Sequence, residues 1–175
     1  MRAPCFVMIL ATTLGPALSL AQSKAPVSDA FRSTATRMGR NLVAAAEEMP
    51  ADKYGFKPTP AQMSFGDVVL HVARDNDEAC PPIGGMKAPD RAKLAPTDAK
   101  AKLVARLRES FALCDQSFAH LDDSDLAANV SAFGDKWSRV GLMFERSEDW
   151  TDHYSQFAIY LRLNGLLPPT ARQGT

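Results

Sequence analysis

Three residues of this chain have the types and the spacing of a metal site. Asp149 and His153 are four residues apart, so on a helix their side chains lie on one face, about one turn apart. A carboxylate and an imidazole in this arrangement can bind one divalent cation, and His71 offers a third ligand from an upstream segment. Two nitrogens and one oxygen suit zinc, nickel, iron or manganese, and three protein ligands leave positions for water or a substrate.

The spacing alone also allows a purely structural interpretation of these residues. A single histidine on the flank of a helix is usually a hydrogen-bonded core or surface residue, and an aspartate four residues before a histidine is common by chance. Asp75, four residues after His71, is either a competing ligand or an acceptor for an imidazole N–H. Cys80 is a poor ligand candidate, because it lies beyond His71 by roughly 13 Å along a helix and on the opposite face.

The candidate ligands must be positioned by neighbouring helices, and the sequence predicts four. In the first and third of these segments, apolar residues recur at alternating intervals of four and three, and the second and fourth carry apolar residues on one face, as is typical of helices in a bundle. The predicted helices begin at Ser28, Ser64 and Thr97 and near Ser138. No segment alternates polar and apolar residues for long enough to form a strand, so we expect an all-α fold, a four-helix bundle around one core.

Prolines and glycines predict where these helices end. They are Pro50 after the first helix, Pro81-Pro82 and Gly84-Gly85 after the second near Cys80, and Gly165 with Pro168-Pro169 after the fourth. The irregular connection over residues 81–96 is long enough for a crossover between the second and third helices.

The first 21 residues have the features of a secretory signal peptide. Arg2 precedes an apolar run, and Ser19-Leu20-Ala21 provides small residues before a predicted cleavage site after Ala21. The run is short and contains Gly15-Pro16, which argues against a membrane span. We therefore expect a secreted or periplasmic protein with a short segment at 22–27, the bundle at 28–170 and a tail at 171–175. An uncleaved N-terminal anchor is the alternative.

Cysteine usage and charge narrow the function classes further. Cys80 and Cys114 form an even pair after the predicted cleavage, so a disulfide is expected in an oxidising compartment, with two buried free thiols as the alternative. The chain has 20 basic and 20 acidic residues without a basic stripe, which argues against nucleic-acid binding. No apolar run after the signal peptide is long enough to span a membrane.

Taken together, three passages resemble the DinB-like superfamily over residues 28–170. The passages are Tyr54-Gly55-Phe56-Lys57-Pro58-Thr59-Pro60 with Met63-Ser64-Phe65-Gly66-Asp67 and His71, the third-helix run with Phe111 and Cys114-Asp115, and Asp152-His153-Tyr154-Ser155-Gln156 leading to Tyr160-Leu161-Arg162-Leu163-Asn164-Gly165-Leu166-Leu167-Pro168-Pro169. Members of this family are metal-binding four-helix bundles. The resemblance therefore implies an up-down-down-up course of the helices.

The family pattern has one histidine on the second helix and two histidines, four residues apart, on the last. His71 and His153 match the first and the last of these, and Asp149 stands where the middle histidine is usual. The resemblance implies a His-Asp-His site for one divalent ion, with zinc or nickel expected before iron or manganese. Tyr54 and Gln156 are candidates for orienting ligands or water.

Related proteins include metal-dependent thiol transferases and some hydrolases. The expected activity is therefore metal-assisted transfer or hydrolysis of a small molecule, with no nucleic-acid partner. Two other interpretations stay open. A non-catalytic bundle that acts as a homodimer or as a scaffold for a partner is favoured by the missing histidine, and a third interpretation is a small-molecule binding protein with a dry pocket between its helices.

Overall fold

The computed structural model describes residues 23–172, so the predicted signal peptide and the last three residues of the predicted tail lie outside the described residues. The fold is mostly helical, in agreement with the all-α prediction. Its helices are α1 (Pro26–Glu48), α2 (Phe65–Ile83), α3 (Lys100–Phe118), α4 (Arg139–Leu163) and the short α5 (Pro169–Arg172). Strands β1 (Asn129–Ala132) and β2 (Asp135–Ser138) and two 3₁₀ turns, Ala51–Lys53 and Asp123–Asp125, lie between them.

Helices α1 and α2 each pack against both α3 and α4, and the four enclose one apolar core. The Phe65 ring stacks on Phe157, and Trp150 donates a hydrogen bond to Asn76, so α2 and α4 run in opposite directions. Near the start of α2, Gly66 lies close to Leu103 of α3, as expected if α2 and α3 run in the same direction. The connection between α2 and α3 therefore returns along the bundle.

The far ends of α2 and α3 are joined covalently and approach each other closely. Cys80 and Cys114 form the expected disulfide, with Cα atoms 5.0 Å apart. Beyond it, a Cβ atom at Gly84 would lie only 2.0 Å from the carbonyl oxygen of Ser117. A side chain at this position would force the two backbones apart, so glycine is required for the close approach.

Two of the predicted helix starts are correct in their capping chemistry. Ser64 accepts a hydrogen bond from the backbone of Asp67, whose carboxylate accepts one from the backbone of Ser64, and this capping box begins α2. Ser138 accepts a hydrogen bond from the backbone N–H of Gly141 at the start of α4. These two caps begin the helices that carry His71, Asp149 and His153.

The other two predicted caps are wrong. Helix α1 begins at Pro26, and Ser28 is buried in its first turn rather than capping it. Asp123, distant in sequence, takes that role: its carboxylate accepts from the backbone N–H groups of Val27 and Ser28 at 3.0 and 2.9 Å. Helix α3 begins after Ala99 without a side-chain cap, so Thr97 does not cap it.

The prediction that the chain has no strand is also wrong. Strands β1 and β2 form an antiparallel hairpin with Val130 opposite Trp137. Its turn residues Phe133 and Gly134 both have positive φ, 56° and 79°. The strands have four residues each and are largely exposed, so their pattern is too short to distinguish from a loop.

The end of α2 differs from the prediction by one turn. Pro81 and Pro82 lie inside the last turn, and the helix continues to Ile83. Its final carbonyls are satisfied by N–H groups beyond the prolines, as in the 2.7 Å bond from Met86 to Pro81, and Gly85 has a positive φ of 72°. Among residues 23–172, no helix combines the length and apolar character needed to cross a bilayer.

Candidate metal centre

Helices α2 and α4 bring His71, Asp149 and His153 together. One potential ligand atom from each residue lies within 4.8 Å of the other two. The two imidazole rings meet edge to face, with centroids 4.7 Å apart. The antiparallel packing of α2 on α4 therefore places the three side chains as close together as a shared metal site requires.

The spacing of the ligand atoms tests whether a cation fits. His153 Nε2 lies 3.3 Å from Asp149 Oδ1. Metal bonds of about 2.0–2.1 Å in tetrahedral geometry place neighbouring ligand atoms about 3.3–3.4 Å apart. The two ligand atoms on α4 are thus spaced as they would be around one metal ion. His71 would need to move inward if its ligand atom lies farther than this from either of them.

A chain of hydrogen bonds determines which nitrogen of His153 is free. The Tyr160 hydroxyl donates to the carbonyl of Met63 at 2.8 Å, so its oxygen accepts from Gln156 Nε2 at 3.2 Å. The amide oxygen of Gln156 then faces His153 Nδ1 at 3.0 Å and accepts a hydrogen bond from its N–H group. A neutral His153 consequently presents an unprotonated Nε2 to Asp149, as a metal ligand must.

The three side chains differ in their access to solvent. His153 is 8% exposed and Asp149 is 15% exposed, whereas His71 is 40% exposed. The cluster is therefore closed on the α4 side and open beside His71. A small molecule would reach it from that side.

The charges around the cluster are compatible with a divalent cation. Asp75 Oδ2 lies 3.4 Å from His71 Nε2, and Glu145 and Arg146 flank Asp149 on α4. The carboxylates outnumber the guanidinium, so the surroundings carry a net negative charge when both imidazoles are neutral. Bound protons or a cation would offset this charge.

The ionisation of the cluster follows from burial and from these charges. Burial raises the pKa of Asp75 in spite of the nearby His71 and Arg146. Burial also opposes the charge on Asp149, but the hydrogen bond to His153 and the Arg146 charge hold its pKa below the usual value. Burial of His153 acts to lower its pKa, and the hydrogen bond and charge of Asp149 outweigh this and raise it. Without metal, the cluster therefore favours a protonated His153 beside an ionised Asp149.

Arg146, which is fully buried, was not predicted to be part of the site. Its NH2 atom lies 2.8 Å from Asp149 Oδ2, at ion-pair distance but without hydrogen-bond geometry, and NH1 has no hydrogen-bond partner within residues 23–172. A signal for it exists in the sequence. Arg146 continues the alternating interval of three and four through Met143, Trp150 and His153, so it is a charge at a core position of α4.

The remaining predicted site residues divide into two groups. Gln156 and Asp75 contact the two histidines directly, as described above. Tyr54 is buried in the core, where its hydroxyl donates to the carbonyl of Ala46 at 2.6 Å and its ring packs edge-on against Phe65. These contacts are with α1 and α2, and we assign Tyr54 a packing role.

Comparison with known proteins supports the fold. The sequence pattern described as the DinB superfamily matches residues 34–145, more than half of the chain, and this range includes His71 but ends before Asp149. The crystal structure of a DinB-like protein from Bacillus subtilis is similar, with a TM-score of 0.64 at 18% sequence identity. The similarity covers 78% of this chain and 92% of that protein. No curated protein matches the sequence significantly.

Proposed function

This chain belongs to the DinB superfamily, and we propose that it binds one divalent metal ion through His71, Asp149 and His153. The observation that carries the proposal is the convergence of the three side chains between α2 and α4. Nε2 of His153, which is unprotonated in the neutral imidazole, its 3.3 Å separation from Asp149 Oδ1 and the net negative charge of the surroundings support it. Two imidazoles and a carboxylate favour zinc or nickel, followed by iron or manganese.

The activity that we propose is metal-assisted transfer or hydrolysis of a small molecule. A metal ion with three protein ligands can stabilise a thiolate or lower the pKa of a bound water. The protein side chains then have separate tasks. Gln156 holds the Nδ1 proton of His153, and the exposed side of His71 admits the substrate.

A non-catalytic bundle is the second candidate, because Arg146 already places a cation beside Asp149. The guanidinium lies 2.8 Å from Oδ2 and supplies part of the charge that a metal ion would supply. In that case the cluster is a buried ion-pair network that holds α2 on α4, and the chain serves as a dimer or a partner scaffold. Metal binding distinguishes the two candidates.

We also propose that the protein is exported with residues 1–21 removed. The leader-like sequence and the disulfide between Cys80 and Cys114 support this location, since disulfides persist in oxidising compartments. Mass spectrometry of the protein recovered from an extracytoplasmic fraction should show an N-terminus at Gln22. An intact Met1 terminus there would contradict cleavage.

The metal proposal is tested by titrating chelator-treated protein with Zn²⁺ and Ni²⁺ in a calorimeter. We expect one bound ion per chain, and we expect His153→Ala to weaken binding by at least about a hundredfold, since a missing ligand costs more than a missing hydrogen-bond partner of a ligand. His120→Ala is the matched control, because it removes an exposed histidine at the end of α3. Wild-type protein without stoichiometric binding, or equal binding by the His153 variant, would contradict the proposal.

A further inference from the structure

The two oxygens of Asp149 face different partners. Oδ1 lies 3.3 Å from Nε2 of His153, one of the three residues that converge in the cluster. Oδ2 lies 2.8 Å from Nη2 of the buried Arg146. One oxygen of this carboxylate therefore contacts a potential metal ligand, and the other contacts a buried cation.

We propose that Arg146 is a positioning residue that restricts Asp149 to a single ligating oxygen and thereby keeps a coordination position open for an exchangeable ligand. This inference rests on the proposed metal site. A carboxylate can bind a cation through one oxygen or through both. If Oδ2 were released, Asp149 could chelate the ion and occupy the position that a substrate or water would otherwise take.

The Arg146 guanidinium contacts several neighbouring side chains besides Asp149. Its Nε donates to Glu145 at 3.1 Å, and its guanidinium lies over the rings of Phe133 and Trp150, 5.7 and 5.9 Å from their centroids. The Arg146 side chain is completely buried, so it has no solvent-exposed alternative position. The guanidinium is therefore part of a fixed wall of the site.

The β-hairpin provides the outer part of that wall. Phe133 occupies its turn with a φ of 56°, where asparagine, aspartate or glycine is preferred. Its backbone N–H donates to Glu78 of α2 at 2.7 Å, while its ring covers Arg146. The hairpin thus links the Phe133 ring, which covers Arg146, to α2, the helix that carries His71.

The inference predicts effects of opposite sign on two kinds of binding. A positive charge beside a cation site weakens metal binding, so removal of Arg146 should strengthen it. The same removal should weaken the binding of an added ligand, because the second oxygen of Asp149 now competes for the open position. A residue that only stabilised the fold would weaken both when it was removed.

The test uses the intact, disulfide-bonded protein loaded with Co²⁺, whose visible absorption reports coordination number. We compare wild type with Arg146→Met, an unbranched apolar replacement between the two aromatic rings, and titrate each with azide. We expect cobalt affinity to rise by about tenfold and azide affinity to fall by about tenfold. The cobalt absorption bands should lose intensity in the variant as Asp149 becomes bidentate.

Two further variants make the outcome decisive. Arg139→Met replaces the first residue of α4, whose guanidinium pairs with Asp125. This variant should change neither the cobalt affinity nor the azide affinity. Arg146→Gln keeps a polar side chain with N–H groups but without the charge, so it should retain azide binding while cobalt binds more tightly. It also carries the test if the methionine variant does not fold.

Weaker cobalt binding by Arg146→Met, or unchanged azide affinity, would overturn the inference. If Arg146→Gln is the only variant that folds, loss of azide binding or weaker cobalt binding would overturn it. If wild-type protein binds no cobalt, the proposed metal site fails instead, so the two failures are distinguishable.

Discussion

Helix α2 has two faces with opposite character. Toward α3 it is joined by the disulfide between Cys80 and Cys114 and by the backbone approach at Gly84. Toward α4 it carries His71, a member of the candidate metal cluster, and Asp75, which contacts His71. One face is therefore built for rigidity, and the other concentrates the groups that titrate or bind.

The difference shows how a small bundle can accommodate an unfavourable site. Buried charges cost free energy unless they are paired, and replacing such groups by apolar residues often stabilises a protein. The contact between Arg146 and Asp149 limits that cost without removing it, since Arg146 NH1 has no hydrogen-bond partner within residues 23–172. The covalent α2–α3 side can supply the stability that the α2–α4 side gives up. The two faces should therefore respond independently to mutation.

The largest effect should come from opening the disulfide. Cys80→Ala combined with Cys114→Ala removes a cross-link that closes a loop with a sequence separation of 34 residues. The chain-entropy model predicts a loss of about 3–4 kcal/mol in the free energy of unfolding. Urea unfolding measures the loss, and the slope with urea should increase because the unfolded chain becomes more expanded.

If the two faces of α2 are independent, this double variant should still bind metal with the affinity of wild type. Zn²⁺ affinity below the unfolding transition should match that of wild type, because the cluster lies on the other face of α2. A large fall in affinity would show that the two faces are coupled. Thiol titration of denatured, unreduced wild-type protein should detect no free cysteine, and two free thiols would rule out the bond in solution.

The next largest effect should be confined to the interface between α2 and α4, where the cluster lies. Gln156→Leu removes the acceptor for His153 Nδ1 and leaves the Tyr160 hydroxyl without its donor. Loss of such a partner typically weakens metal binding by about 10–100-fold, equivalent to about 1.4–2.7 kcal/mol. Calorimetric Zn²⁺ titration measures this change. Gln116→Leu makes the same substitution at an exposed position of α3 and should bind Zn²⁺ like wild type.

Unchanged Zn²⁺ affinity in Gln156→Leu would contradict the orienting role of this residue. It would show that the His153 ring is held by packing alone. A fall in unfolding free energy without a fall in metal affinity would lead to the same conclusion. Either result would leave His71, Asp149 and His153 as candidate ligands.

Local sequence patterns predicted what depends on neighbouring residues. The caps at Ser64 and Ser138 involve residues three positions away and were predicted correctly, as was the shared face of Asp149 and His153. The cap of α1 by Asp123 comes from a residue more than 90 positions away in the sequence, so no local pattern contains it. Long-range packing determines such features.

The three members of the cluster were predicted from the sequence, but their surroundings were not. Helix periodicity places His71 and His153 on inward-facing flanks, and the bundle brings them together. Arg146 was missed because a charged residue does not extend an apolar periodicity, even where it occupies a core position. The hairpin was missed because its strands are short and its turn contains Phe133 rather than a residue that favours positive φ. Both omissions concern the wall that shapes the cluster.

The smallest effect we expect is a pH dependence carried by His153. The pKa of this residue is raised above its ordinary value in the folded protein. A raised pKa means that the folded state binds the proton more tightly, so its contribution to stability is full below the unfolded value of about 6.5 and is lost as pH rises through the folded value. Metal-free protein should therefore lose this contribution on passing from acidic to alkaline pH.

Metal binding should show the opposite trend, because the ion requires an unprotonated Nε2 on His153. The stability gained on adding Zn²⁺ should grow as pH rises over the interval in which the metal-free protein loses the proton contribution. Urea unfolding at several pH values, with and without Zn²⁺, measures both trends. The difference in stability between wild type and His153→Ala isolates this residue, and His120→Ala should retain the wild-type pattern. If the stability difference between metal-free wild type and metal-free His153→Ala stays constant or increases with pH, Asp149 does not hold the His153 proton. The face of α2 toward α4 would then be no more responsive to pH than the face joined to α3 by the disulfide.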